Sequence, residues 1–168
     1  MTDDVPGRAA RAFERHDAFA PASDGFLVTT TRFEAVVTAS DSGEWALRYD
    51  LTVRLPMLSA VTNDEVGAAV VAGWFETLER RLPDATMATR HDVELAAFDL
   101  TERGDEAVAT FTFEFGNADR VPDVVTALVE YTEGTYMEGV VPGYDYRDPV
   151  ASMLSRARQD DDRGPMPL

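Results

Sequence analysis

The clearest pattern in the chain is an alternation of apolar and polar or small positions over Glu44–Leu55. Apolar side chains occupy every second position from Trp45 to Leu55. A period of two over this length predicts a β-strand with one buried and one solvated face. It also favours an antiparallel sheet, because parallel strands that are covered on both faces tend to be continuously apolar.

Shorter segments with strand-like patterns flank this strand. They are Phe26–Thr30, Phe33–Thr38, Asp92–Glu102 and Ala107–Phe115. The last two are separated by a turn sequence that contains Gly104, which predicts a second hairpin. Within Asp92–Glu102 the alternation changes phase between Ala97 and Phe98, and this predicts a β-bulge.

Apolar positions at intervals of three and four residues predict amphipathic helices elsewhere. These helices run over Val5–Asp17, from Thr62–Glu65 to Pro83, over Asp119–Glu138 and over Asp148–Arg158. Thr62 and Glu65 have capping-box spacing, although Asn63 or Asp64 could serve as the cap instead. The predicted order is α-β-β-β-α-β-β-α-α, and the fold class is α+β, with an antiparallel sheet of about five strands and flanking helices.

The second predicted helix has a broad apolar face. Its members are Val66, Val70, Val71, Trp74, Phe75, Leu78 and Leu82. We expect residues 1–158 to form a single α+β domain. Residues 159–168 are acidic and then rich in Gly and Pro, and we expect them to be disordered.

The charge composition of the chain is more informative than any motif in its sequence. Acidic residues number 31 against 15 basic ones, the net charge is -16, and every basic residue is arginine. Such a surface repels itself in dilute buffer, whereas molar salt shortens the Debye length to about 3 Å and removes most of that repulsion. We therefore expect a protein of an extreme halophile, although a GC-rich genome would also favour arginine codons.

The same composition excludes several classes of function. Without lysine there is no Schiff base and no lysine-containing phosphate loop, and without cysteine there is no disulfide or thiolate chemistry. The chain has no basic footprint for nucleic acid or an anionic membrane, and no apolar run long enough for a membrane span. The acidic first residues argue against a secretory signal, so we expect a cytoplasmic protein.

The residues that could carry chemistry are few. His16 and His91 are the two histidines, and neither has a partner at metal-ligand spacing. We expect His16 to pack on the apolar side of the first helix, and we assign His91 no chemical role. Carboxylates are so numerous that pairs arise by chance. We therefore predict no catalytic residue, no metal site and no cofactor.

The loop around residues 139–149 is the best candidate for an interaction site. Tyr144, Asp145, Tyr146 and Arg147 lie there in succession. Tyrosine and arginine commonly anchor protein interfaces, and loops on a rigid scaffold often carry function. The alternative is that both tyrosines fold back against the sheet while Arg147 pairs with an acidic neighbour.

Three segments resemble a haloarchaeal family of uncharacterised proteins. They are residues 73–77 (GWFET), 127–136 (ALVEYTEGTY) and 140–147 (VVPGYDYR). The resemblance implies no assigned activity. The order of elements up to the third helix is also similar to the type III secretion chaperone-like fold of the bacterial YbjN-like proteins, which implies dimerisation or binding of a partner polypeptide.

Two functions remain open at this point. The first is a non-enzymatic protein-interaction or adaptor domain, which binds either a second copy of itself as a homodimer or another protein. The second is a small-molecule-binding protein or enzyme that uses Arg, Tyr and carboxylate groups in a cleft between helix and sheet.

Overall fold

An antiparallel sheet forms the centre of the fold. The computed structural model describes residues 6–42 and 45–162. Its strands are β1 (Phe19–Pro21), β2 (Phe26–Val28), β3 (Glu34–Asp41), β4 (Leu47–Pro56), β5 (Leu95–Arg103) and β6 (Glu106–Phe115). They lie in the order β1-β2-β3-β4-β6-β5, and each neighbouring pair is antiparallel.

Helices accompany the sheet, and together they confirm the predicted α+β class. They are α1 (Gly7–Glu14), α2 (Ala68–Arg81), α3 (Val121–Glu138) and α4 (Val150–Asp162). The sheet has one strand more than expected, because no strand was predicted before Phe26 and β1 precedes it. That strand is only three residues long and ends at Pro21, so it carries no periodic pattern that could be recognised.

The alternation in β4 corresponds to two different faces of the sheet. Leu47, Tyr49 and Leu51 are fully buried beneath the helices, whereas Arg48 between them is exposed. The prediction of two faces is confirmed. A β-bulge is also present in β5, but the register of β5 against β6 shifts between Leu95 and Ala97, just before the predicted position between Ala97 and Phe98.

Trp45 was predicted on the buried face of this strand, and that prediction is wrong. The strand begins at Leu47, and Trp45 is 74% exposed. Its indole lies directly over Gly116, where a Cβ atom would come within 1.5 Å of the ring. The alternating pattern therefore continues beyond the residues that are paired in the sheet.

The uncovered face of the sheet is polar, and its groups bind one another. Arg54 of β4 contacts Glu34 of β3 at 3.1 Å and Glu106 of β6 at 3.3 Å. The Thr112 hydroxyl donates to the Asp50 carboxylate at 2.6 Å. Neighbouring strands are thus linked by contacts between charged and hydroxyl groups on this face.

The predicted capping box at Thr62 and Glu65 is wrong. Helix α2 begins at Ala68 instead, and its N-cap position is Gly67, which has no side chain to act as a cap. The Thr62 hydroxyl donates to the Asp64 carbonyl at 2.8 Å, so this segment forms its own local turn. Side-chain hydrogen bonds of this kind compete with helix initiation.

The last helix continues beyond its predicted end at Arg158 and reaches Asp162. It therefore includes the first four residues of the segment predicted to be disordered. Residues 163–168 of that segment lie outside the described residues, as does Val5 at the predicted start of α1. The division into one domain and a tail stays a prediction.

Candidate functional site

The loop that contains Tyr144–Arg147 is held against the segment that follows β4. Tyr146 and Thr62 form an antiparallel bridge. On either side of it, the Asn63 amide donates to the Asp145 carbonyl at 2.8 Å, and the Arg147 amide donates to the Val61 carbonyl at 2.6 Å. The residues that looked like a helix cap thus form a short strand pairing with the candidate loop.

The polar side chains of the loop also form hydrogen bonds with the segment that follows β4. The Arg147 guanidinium donates to the Asn63 side-chain oxygen at 2.9 Å and to the Thr62 carbonyl at 2.8 Å. The Asn63 amide group donates to the Asp145 carboxylate at 2.9 Å. Arg147 therefore binds neutral oxygens, and among the described residues it forms no ion pair with the acidic neighbour considered in the sequence.

The two tyrosines are half-buried, and their rings meet edge to face at 6.4 Å. The Tyr146 hydroxyl donates to the Val141 carbonyl, and burial, followed by the proximity of Tyr144, raises the pKa of Tyr146. Tyr146 also packs against the core, and its inward contacts support the packing alternative for that residue, whereas Tyr144 contacts the Tyr146 ring. The role of Tyr144, Asp145, Tyr146 and Arg147 as an interface stays a prediction.

A groove runs along the outer side of α2, at a place that the sequence did not single out. Trp74 and Leu78 are buried in the core, but Val71 and Phe75 are only half-buried and line the groove. Its volume is about 720 Å³. Met57, after β4, also belongs to its lining but is itself buried in the core.

Small and acidic residues complete this α2 groove. Ala68 and Ala72 are exposed on the same side of the helix as Val71 and Phe75, at helical spacings of three and four. The acidic residues of the lining are Glu65, Glu76, Glu79 and Glu102. The groove therefore combines apolar walls with a set of glutamates, and its lining contains no arginine.

A second, more polar cleft, which we call the α3 cleft, lies between α3 and the residues that precede β5. Its volume is about 470 Å³. Arg90, His91 and Arg120 line it together with Asp123 and Glu130. It brings arginines and carboxylates together as the small-molecule hypothesis requires, although both arginines are exposed.

Both histidines lie at or near this cleft. The His91 ring packs edge-on against Phe115 with a centroid distance of 5.9 Å. His16 is half-buried, but α1 ends at Glu14, so His16 follows the helix instead of lying on its apolar side, and its Nε2 atom is 3.2 Å from the Asp123 carboxylate. Within residues 6–42 and 45–162, no three His, Asp or Glu side chains are arranged to hold a metal ion.

The groups with the most perturbed pKa values lie in the core rather than in the clefts. Burial raises the pKa of Tyr49 to about 12, and it also raises the pKa of Tyr136. Glu133 of α3 is half-buried, and burial raises its pKa although its carboxylate accepts the Arg32 and Phe33 amides at 2.6 and 2.8 Å. These groups hold elements together, and none of them lines the α2 groove or the α3 cleft.

The sequence contains a signal for the α2 groove in the apolar face of this helix. The apolar face of the helix contains the adjacent pairs Val70–Val71 and Trp74–Phe75. Neighbouring helical residues point about 100° apart, so adjacent apolar pairs widen the apolar face of the helix. A face of this breadth leaves apolar side chains at its margin, where they are only partly covered by the core. Met57 and Glu102 carried no comparable signal, because only the fold brings them to α2.

Comparison with known proteins identifies the chain at the level of family only. A family model described as a family of unknown function, DUF5813, matches residues 14–156. Searches of curated proteins and of solved structures returned no match. Among the described residues, no helix has the length and apolar character needed to cross a bilayer.

Proposed function

We propose that this chain, which belongs to DUF5813, a family of unknown function, is a non-enzymatic protein-interaction domain whose docking surface is the α2 groove. The half-exposure of Val71 and Phe75 beside exposed Ala68 and Ala72 carries this proposal. Each Å² of apolar surface removed from water contributes about 25 cal/mol, so a partner gains most where such side chains are contiguous. Contiguous exposed apolar surface is typical of a binding site.

The sheet edges are poorer candidates for docking. On one side β1 has three residues and ends at Pro21. On the other side β5 carries the irregularity between Leu95 and Ala97 and the exposed charges of Asp99 and Glu102. Short strands, proline, bulges and charges are the devices that prevent edge pairing. The open face of the sheet is also disfavoured, because its polar groups already bind one another.

Binding of a neutral amphipathic helix tests the proposal. The probe is a fluorescein-labelled peptide of about 14 residues, matched to the length of α2, with leucines on one side and glutamines on the other. We expect it to bind the wild-type chain, and we expect the double variant Val71→Ser, Phe75→Ser to bind it at least tenfold more weakly in fluorescence anisotropy.

The matched control removes exposed apolar side chains elsewhere. Trp45 and Met87 are 74% and 82% exposed and do not line the groove. The double variant Trp45→Ser, Met87→Ser should therefore bind the probe as the wild type does. Absence of binding to the wild type, or an equal loss in both double variants, would overturn the proposal. Circular dichroism establishes that each variant is folded.

A second candidate function is binding of a small anionic molecule in the α3 cleft, supported by the convergence of Arg90, His91 and Arg120. Isothermal titration with citrate and with inorganic phosphate tests it. Binding to the wild type that is lost in the variant Arg90→Gln, Arg120→Gln would support this function. Equal heats for the two proteins would reject it.

We also propose a haloarchaeal origin and a halophilic setting. The net charge of -16 and the complete replacement of lysine by arginine support both. The cytoplasmic location, the homodimer and the likeness to the chaperone-like fold stay predictions from the sequence. Within the proposed function, the partner is another protein.

A further inference from the structure

The acidic charge around the α2 groove restricts the kinds of partner that the groove can bind. Its four glutamates project from three different parts of the fold. Glu65 precedes α2, Glu76 and Glu79 are on α2, and Glu102 is on β5. Among the described residues none of the four forms an ion pair within 4 Å. Elsewhere on the surface, carboxylates such as Glu34, Glu106 and Glu138 do have arginine partners.

From this arrangement we infer that the groove binds an α-helix of another protein in which arginines or lysines flank an apolar stripe. The inference rests on the proposed function. The apolar stripe would pack on Val71 and Phe75, beside the exposed Ala68 and Ala72, and the flanking cations would meet the four glutamates. Complementary charge at the rim of an interface selects the partner and speeds its encounter.

The small residues along α2 favour a helix over an extended strand as the occupant of the groove. Helix α2 is 14 residues long, which corresponds to about 21 Å. Ala68 and Ala72 lie one turn apart on its exposed side, where the small methyl groups let another backbone approach closely. Docking of an amphipathic helix in an apolar groove is a common mode of peptide recognition, and its anchors recur at three- and four-residue spacing.

A second copy of this chain is disfavoured as the occupant. In a two-fold symmetric dimer the same patch faces itself. The four glutamates of one protomer would then approach the four of its partner, and like charges placed together disfavour association. A cationic helix neutralises the same groups, so the charge that argues against the dimer argues for this partner.

The test compares peptides that differ only in charge. The neutral leucine-stripe probe is joined by one version with arginines beside the stripe and one with glutamates there. We expect the arginine version to bind at least tenfold more tightly than the glutamate version, at the lowest KCl concentration at which the wild type is folded. The preference should shrink as KCl is raised, because salt screens charge.

Two quadruple variants decide whether the groove glutamates are responsible. One replaces Glu65, Glu76, Glu79 and Glu102 with Gln. The control replaces the exposed Glu14, Glu94, Glu114 and Glu130, and so removes the same four charges away from the groove. We expect the first variant to lose the preference for the arginine peptide and the control to keep it.

The outcomes separate this inference from the proposed function. Equal binding of all three peptides would overturn the inference while leaving the docking function intact, whereas binding of none would overturn both. Light scattering provides a further test, because it measures the oligomeric state of the wild type and of the variant. A wild-type dimer that becomes monomeric in the Val71→Ser, Phe75→Ser variant would identify a second copy as the occupant and overturn the cationic partner.

Discussion

Glu133 offers the sharpest test of how this fold is held together. Its carboxylate reaches from α3 to the loop before β3, where one oxygen, Oε2, accepts both the Arg32 and the Phe33 amides. Burial raises the pKa of this carboxyl group, and the two backbone donors oppose that rise only in part. As a hydrogen-bond acceptor the Glu133 side chain therefore stabilises the fold, whereas its negative charge is unfavourable in this half-buried position.

Two substitutions separate these contributions. Glu133→Ala leaves the Phe33 amide, which is partly buried, without an acceptor, whereas water can reach the exposed Arg32 amide. An unsatisfied buried amide costs about 1–3 kcal/mol, so we expect a loss of about 2 kcal/mol. For a chain of this size that loss lowers Tm by about 4–8 °C. Glu133→Gln keeps one oxygen that can accept both amides, so its stability should stay within about 1 kcal/mol of the wild type.

The pH dependence provides a second signature. The folded-state pKa of Glu133 lies above the unfolded value of about 4.3, so the folded state holds the proton more tightly. The associated stabilisation is complete below the unfolded pKa and is lost as the pH rises through the folded pKa. The free energy of unfolding of the wild type, measured relative to that of Glu133→Gln, should therefore fall across this range and then become constant.

Urea denaturation followed by circular dichroism, at fixed molar KCl, measures all these differences. Glu14→Ala is the control, because it removes an exposed carboxylate from α1. An equal loss of stability in Glu133→Ala and Glu133→Gln would refute the reasoning, since the shared acceptor oxygen would then be irrelevant. A stability difference between wild type and Glu133→Gln that rises with pH would refute the assignment of the charge as unfavourable.

Three further predictions follow from the core, from close contacts and from surface charge. The buried Tyr49 hydroxyl has no hydrogen-bond partner among the described residues, whereas that of Tyr136 donates to the Pro56 carbonyl at 2.9 Å. Tyr49→Phe should therefore be neutral or stabilising by up to about 1 kcal/mol, and Tyr136→Phe should cost about 1 kcal/mol, in urea denaturation; the reverse ranking would contradict the hydrogen-bond assignment. A Cβ atom at Gly25 would lie 2.1 Å from the Val37 carbonyl oxygen, whereas the atoms nearest to one at Gly116 belong to the exposed Trp45 ring, which can turn away. Gly25→Ala should therefore cost about 2 kcal/mol or more and Gly116→Ala less than about 1 kcal/mol by the same assay, and equal costs would count against these contacts. Finally, the thermal midpoint should rise steeply as KCl increases from about 0.1 to 3 M, because added salt screens carboxylate repulsion, and a flat profile would reject that account.

Strand pairing was the most predictable part of the fold. The alternation in β4 and the phase change in β5 both describe which side chains leave water, and burial is what fixes the register of a strand. Trp45 marks the limit of this reasoning. Its position fits the alternating pattern, but the ladder stops short of it, and the ring lies over Gly116 in the solvent.

The candidate sites were less predictable because tertiary contacts decided them. Thr62 has the sequence features of a helix start, yet its segment pairs with Tyr146, which lies more than eighty residues away in the chain. The loop residues were recognisable by type, but their inward hydrogen bonds were not. Glu102, at the end of β5, reaches the α2 groove only because the turn between β5 and β6 lies beside Met57, whose amide donates to the Asp105 carbonyl, and a single sequence does not reveal that proximity.

The order of strands in the sheet bears on how quickly the chain can fold. The β3–β4 and β5–β6 hairpins each join strands that are neighbours in sequence, whereas the β4–β6 ladder pairs residues fifty or more positions apart, from Pro56 with Glu106 to Leu47 with Phe115. Closing a loop of that length costs entropy before the pairing is rewarded, and a high contact order slows folding. We therefore expect the two hairpins to form early and their docking along β4 and β6, with α2 folded inside the closed loop, to limit the folding rate.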